Sequence, residues 1–340
     1  MIVSRQLSSR IANVSLVASM AVVYLHFAVE SGQAGLDMPV RMLLRDLCRF
    51  AVPYFFLVSG FFLAGHAGEP QWWRRETLKR MRTVLVPYLV WSLAFGGFML
   101  AAVAGPELCR VHAFDWSAWW QAKRFLLVGL DLREPPLLLP LWYLRTLLLL
   151  VLISPVLFGL IRKAPRMTLG ALGFAYLSYS LSVDVFPQIA AYDAIALVRQ
   201  TLSPEAFFFF LAGAWLRGRD AEPSAGRAWP WIAAAVALLL LRQQGVLVPY
   251  ALVVPLTMVG VWHAVPGRAW PRILTSLAFP IYLIHYFFVI LAVRGGGGSI
   301  AASGLAFSLA CCAIVAASVG ISLLLRRLPS SVVSILFGGR

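Results

Sequence analysis

Charge is scarce in this chain, and negative charge is scarcest. Of 340 residues only 13% are charged, with 29 Lys and Arg against 14 Asp and Glu. A soluble domain carries about a quarter charged residues and about half apolar ones. Here 61% of residues are hydrophobic and the mean hydropathy is +0.82, which excludes a soluble globular fold. Cysteine is also rare. Cys48, Cys109, Cys311 and Cys312 show no metal-type spacing, and the last two are neighbours within an apolar run. That pattern excludes a disulfide framework and a zinc site. The first apolar run follows Arg5 and Arg10 but lacks a small-residue cleavage site, with His26 and Glu30 there instead. It is therefore expected to stay as a helix rather than leave as a signal peptide. No fixed-period repeat is present, and the single low-complexity tract, "GGGG" at 295–298, reads as a flexible turn in an outer loop.

What the chain has in quantity is apolar runs of about the length that crosses a bilayer core. They fall at 11–29, 49–65, 83–104, 139–161, 168–183, 204–217, 229–241, 245–263, 273–293 and 300–325. The expected class is all-α: one polytopic membrane domain over residues 1–340, with about ten transmembrane helices and both termini cytoplasmic. The sixth and seventh runs are short, which suits tilted or broken helices. Segment 124–130, "RFLLVGL", is too short to span and suits a re-entrant or interfacial piece.

Charge tests this layout. With the N-terminus in the cytoplasm, the inner segments hold 18 basic and 4 acidic residues, the outer segments hold 10 of each, and Arg145 lies within a span. Basic residues favour the cytoplasmic side, and an odd number of spans scrambles the split. The pI of 10.4 then follows from topology, and no nucleic-acid partner is needed to explain it. The longest outer loop, 105–138, is rich in tryptophan and proline. It suits an interfacial aromatic belt or one wall of a substrate cleft.

Ionisable residues inside spans are expensive and point to function. His26 lies near the outer end of the first span. A neutral imidazole there can take a proton from a hydroxyl and return it, or it can be a buried ring bonded to a neighbouring helix. Glu30, one turn on, shares its face and either orients the ring or is an ordinary interface residue. Arg49 opens the second span, where Pro53 and the Ser59-Gly60 pair allow a kink or close helix packing. The stretch 74–91 carries five basic residues and one acid before an apolar helix. It reads as a positive-inside anchor or as a cytoplasmic phosphate site. Trp142 and Arg145 open the fourth span, and Arg145 either snorkels outward or pairs with a carboxylate or a substrate oxygen. His285, inside the aromatic ninth span, reads as structural.

The order of these signals carries more than any one of them. "VVYLH", "AVPYFFLVSGFFL", "KRMRTVLVPYLVW", "LWYLRTLLLLVLISP", "FFFFLAGAWL" and "FPIYLIH" follow one another over about residues 10–325. In this the chain resembles the acyltransferase 3 family of integral membrane O-acyltransferases. It departs from the family's pattern at Ser15, where an arginine usually stands eleven residues before the histidine. It departs again at Lys79, the first place of a two-arginine motif completed by Arg82, and at Arg145, where many members carry an acid. The resemblance implies transfer of an acyl group, most often acetyl from acetyl-CoA, to a hydroxyl of a surface glycan or its lipid-linked precursor. Lys79, Arg80 and Arg82 are then expected to hold the CoA phosphates. His26 is expected to act as general base or acyl carrier, with Arg145 as oxyanion stabiliser. Glu30, Arg49, Ser59, Gly60 and Trp142 are expected to line the cleft. The expected partners are acyl-CoA, the glycan acceptor and the bilayer of a bacterial inner membrane, with homo-oligomers or envelope-assembly partners left open. No permanently bound cofactor and no metal are expected. A glycan-lipid transporter or flippase, or a non-catalytic envelope-assembly protein, is the alternative.

Overall fold

The computed structural model of the protein describes residues 3–32, 38–104, 136, 138–185, 201–219 and 226–339, and the described residues are helical or irregular with no strand. In chain order the helices are α1 (Arg5–Glu30), α2 (Met38–Cys48), α3 (Ala51–Ala64) and α4 (Trp72–Arg80). A π turn, Met81–Leu85, joins α4 to α5 (Val86–Ala104), and a 3-10 turn, Leu139–Leu141, leads into α6 (Trp142–Lys163). There follow α7 (Pro165–Val185), α8 (Pro204–Arg217), α9 (Trp229–Gln243), α10 (Tyr250–Ala264) and the single turn α11 (Arg272–Thr275). The chain closes with α12 (Ala278–Ala302), α13 (Gly304–Leu325) and α14 (Ser330–Phe337). In hydrocarbon every backbone amide needs an internal partner, so apolar runs of this length become helices.

Helix covers each of the ten apolar runs. Six stretches are long and apolar enough to cross a membrane: Arg5–Glu30, Met38–Ala64, Trp72–Phe98, Leu139–Lys163, Ala278–Gly296 and Gly304–Leu325. Trp229–Gln243 and Tyr250–Ala264 are shorter apolar helices. The loop 105–135 and its segment 124–130 lie outside the described residues. The expected turn at Gly295–Gly298 is instead helix, because α12 runs through it to Ala302. The side chain of Ile300 lies over the bare Cα of Gly296. Each interior glycine costs a helix about 0.5–1 kcal/mol, less than backbone groups left unpaired in an apolar setting.

Side-chain contacts tie together the segment ends that the charge pattern assigns to one side. Asn13, fully buried, donates to the carbonyls of Pro266 (3.0 Å) and Arg268 (2.7 Å). Arg326 donates to the Oγ and carbonyl oxygen of Ser276, at 2.7 and 2.6 Å. Gly338, at φ +65°, sits so close to the Thr83 carbonyl that a Cβ there would lie 2.2 Å from it. At the other end Arg242 forks onto Asp184 at 2.7 and 2.8 Å, and Gln243 donates to the Pro39 carbonyl at 3.1 Å.

The bundle core centres on α1, which packs on α12, α2, α3 and α13. The closest crossing is between α3 and α8. A Cβ at Gly60 would lie 1.9 Å from the Phe210 carbonyl oxygen, and one at Gly213 would lie 1.9 Å from that of Leu57. Without an aqueous hydrophobic drive, membrane helices associate through such small-residue contacts. Phe158 and Phe210 stack at 5.9 Å and carry the packing from α8 to α6.

Candidate active site

α1 and α12 bring two imidazoles together. The rings of His26 and His285 lie 5.4 Å apart between centroids, tilted by 39°. Tyr286, next along α12, meets the His26 ring edge-on at 5.4 Å and 81°, and its hydroxyl donates to Glu30 Oε1 at 2.8 Å. Glu30 thus reaches across to α12. His285 is fully buried, and its Nδ1 lies 3.1 Å from the Ile281 carbonyl and 2.9 Å from that of Tyr282. Two acceptors at one ring nitrogen assign the proton to Nδ1 and leave Nε2 of the neutral ring as an acceptor. Nε2 is buried without a hydrogen-bond partner among the described residues.

Below this pair, toward the end of the bundle that carries the start of α1, lies a cavity of about 330 Å³. Ser15 of α1, Ser59 of α3, Arg80 of α4, Tyr143 of α6, and Ser276, Phe279 and Tyr282 at the start of α12 line it. Ser59 Oγ and the Tyr143 hydroxyl are hydrogen-bonded at 3.0 Å, and the Tyr282 hydroxyl donates to the Pro140 carbonyl. Arg80 Nε is buried with no hydrogen-bond partner among the described residues. An unpaired guanidinium N–H in a wall made mainly of apolar and hydroxyl side chains can receive an anionic group. Tyr282 is one turn from His285 on α12, a rise of about 4.5 Å, and their rings are 6.4 Å apart. The histidine pair therefore forms the next layer beyond the cavity floor.

The other expected site residues are spread more widely. Arg80 lines the cavity, while Lys79 and Arg82 are exposed and Lys79 Nζ lies 3.6 Å from Glu76. Ser59 lines the cavity. Gly60, the next residue, faces the backbone of α8. Trp142 packs on Phe56 at 5.9 Å. Arg145 is buried on α6, with Tyr88 as an electrostatic neighbour. Arg49 belongs to the other end of the bundle, bonded to Asp46 at 3.2 Å and 4.1 Å above the Tyr250 ring. Among the described residues no cluster of His, Cys, Asp and Glu could hold a metal ion. Sequence reasoning missed Tyr143, Tyr282 and Tyr286 as site residues, and it read His285 as structural. For Tyr282, His285 and Tyr286 the one signal was "PIYLIHY", which sets two tyrosines and a histidine within five residues.

Comparison with known proteins adds two findings. A family model described as Acyl_transf_3, acyltransferase domain, matches residues 16–327. The succinoglycan biosynthesis protein ExoH of Rhizobium meliloti (strain 1021) is 30% identical over 189 residues, 53% of this chain and 50% of that protein. The chain thus spans about half the length of this curated relative. No solved structure matches the chain.

Proposed function

The chain belongs to the acyltransferase 3 family, and we propose that it moves an acyl group, acetyl in the simplest case, from acyl-CoA to a hydroxyl of a surface glycan or its lipid-linked precursor. The setting is a bacterial inner membrane, with the start of α1 in the cytoplasm. The observation that carries this reading is the stacking of two layers: a largely apolar cavity with hydroxyl groups and an unpaired Arg80 N–H in its wall at one level, and His26 against α12 one turn beyond its floor. The relative from Rhizobium meliloti is a succinoglycan biosynthesis protein, which supports a glycan acceptor.

The residues supply a complete acyl transfer. Arg80 receives a phosphate of the donor, and the acyl thioester enters the cavity toward Tyr143 and Tyr282. His26 takes the proton of the acceptor hydroxyl as the hydroxyl oxygen bonds to the acyl carbon. The C–S bond breaks, His26 passes its proton to the leaving sulfur, and CoA departs as the thiol with the imidazole neutral again. Arg145, the buried cation of α6, steadies the negative oxygen of the tetrahedral intermediate. Purified protein incubated with labelled acetyl-CoA and membranes carrying the native glycan lipids should yield a labelled glycan, and His26→Ala should not. Mass analysis of surface glycans separates the alternatives. Deleting the gene should remove an acyl mass and leave the glycan in place, whereas a transporter would lose the whole glycan.

A further inference from the structure

His285 is a titratable group fixed inside the bundle and outside the roles given above. It is fully buried, and the carbonyls of Ile281 and Tyr282 both face its Nδ1. That contact fixes its tautomer and turns a bare Nε2 into the protein with no partner among the described residues. The helix backbone makes no use of that acceptor, because the ring meets the α12 carbonyls through Nδ1. The groups facing it are His26 of α1 and Tyr286 of its own helix, whose rings lie 5.4 and 6.3 Å away, with Tyr282 one turn below at 6.4 Å. The two tyrosine hydroxyls are engaged elsewhere, Tyr286 on Glu30 and Tyr282 on Pro140. Among the described ring neighbours, the one left with a proton to give is His26.

We infer that His285 is the positioning residue of His26: its Nε2 accepts the ring N–H of His26 and so holds the opposite nitrogen of His26 bare toward the acceptor hydroxyl. Two imidazoles joined N–H to N have centroids about 5 Å apart, given N···O-like bond lengths, so the 5.4 Å separation matches that bond once the His26 ring turns a nitrogen toward His285. Such catalytic hydrogen bonds commonly tighten once substrate is bound. When His26 takes up the hydroxyl proton, its other N–H stays on His285 Nε2. The charge is then shared along a line from His26 through His285 Nδ1–H to the α12 carbonyls. The tautomer-fixing role usually given to a carboxylate beside a catalytic imidazole is here filled by a second, neutral imidazole. The inference rests on the reading of His26 as the general base.

Two substitutions separate this role from packing. His285→Asn keeps an amide N–H near Nδ1 to cap the Ile281 and Tyr282 carbonyls but offers no acceptor at the place of Nε2. His285→Gln brings an oxygen to that place. Labelled acetyl transfer to native glycan lipids is measured in membranes against acetyl-CoA concentration, with His26→Ala alongside. We expect His285→Asn to lower kcat about 10- to 100-fold, a part of the 10²–10⁴ typical of general acid–base catalysis, with KM for acetyl-CoA within about twofold. His285→Gln should stay within about fivefold of the unaltered kcat. A His285→Asn protein with unaltered kcat overturns the inference, and so does a His285→Gln protein that falls as far as the Asn variant. Where the Asn variant does not accumulate in membranes, His285→Met, which fills the volume without a strong acceptor, takes its place with the same expectations. If His26→Ala itself retains full transfer, the general-base reading has failed. If only the His285 arm fails, that reading stands.

Discussion

Gly60 tests whether backbone contact, rather than side-chain chemistry, sets the shape of the site. Gly60→Ala puts a methyl group 1.9 Å from the Phe210 carbonyl oxygen, where real Cβ atoms essentially never come below 3.0 Å. The obstruction is main chain on a packed helix, so no rotamer can clear it. α3 and α8 must part by roughly 1 Å, and overpacking of this kind costs about 1–3 kcal/mol. Helix propensity returns about 0.5–1 kcal/mol of that. Gly213→Ala meets the Leu57 carbonyl at the same 1.9 Å and carries a similar cost. Both clashes are relieved by one displacement, so the double variant should be less destabilised than the two singles together, with a coupling of about 0.5–3 kcal/mol. The assay is thermal unfolding of detergent-purified protein followed by size-exclusion chromatography, where each single substitution should lower Tm by roughly 2–8 °C. Gly97→Ala and Gly170→Ala, where a Cβ meets nothing within 4 Å, are the controls and should not lower it. A Gly60→Ala protein as stable as these controls, or singles that add fully, would refute the close crossing.

Other substitutions probe separate parts of the molecule. His26→Ala should lower acyl transfer about 10²–10⁴-fold, with the protein still recovered in membranes; near-normal transfer sinks the base assignment. Arg80→Ala should raise the acetyl-CoA concentration for half-maximal transfer about tenfold, the scale of one hydrogen bond to a charged group, and Arg82→Ala should shift it less. The reverse order in titrations of transfer against acetyl-CoA would move the donor site to the exposed face. Asn13→Ala strips the donors from the carbonyls of Pro266 and Arg268 and should destabilise by about 1–3 kcal/mol, read by the same thermal assay. Asp184→Asn breaks the fork on Arg242 and should loosen α7 from α9 by a similar amount. An unchanged Tm, or unchanged proteolysis at residues 244–249, counts against it.

How much of this was legible in the sequence depended on whether a residue's meaning is local. His26 was legible, because an imidazole in an apolar run is costly wherever it packs. Ser59-Gly60 could be read as close packing, but its partners, Phe210 and Gly213, lie some 150 residues on, and no local pattern names them. Tyr143, Tyr282 and Ser15 were illegible as cavity residues because three different helices supply them, and each alone is an ordinary membrane residue. His285 was visible but read as structural, and the role inferred above is a different one. Its significance lies in which nitrogen the α12 carbonyls engage, and only the folded helix decides that. The glycine run at 295–298 misled because glycine is a turn signal in water, while in lipid the demand for paired amides outweighs it.

The basic stretch shows how spacing and geometry can part company. Lys79 and Arg82 stand three apart, so a helix sets them on one face, and that face is solvent, where both are exposed. Arg80 is about 100° round the helix from Lys79, which turns it inward to the cavity wall. The π turn begins at the next residue, Met81. A π turn widens the helix and shifts every later residue in register, and such turns gather at functional sites. Here it carries the inward line on to Val84 and Tyr88, both buried, and brings Thr83 against the Gly338 backbone after α14. The C-terminal helix is further tied to α5 by the Trp91 Nε1 bond to the Leu336 carbonyl, at 2.9 Å. Arg80 is thus backed by a segment clamped from behind, which suits a cation that must stay fixed while an anionic carrier comes and goes. Lys79, loosely paired with Glu76, and Arg82 are exposed and suit drawing such a carrier in by long-range attraction. One run of basic residues thus divides by burial, with Lys79 and Arg82 exposed and Arg80 turned to the cavity, a division the proposed donor site would use for capture and for grip.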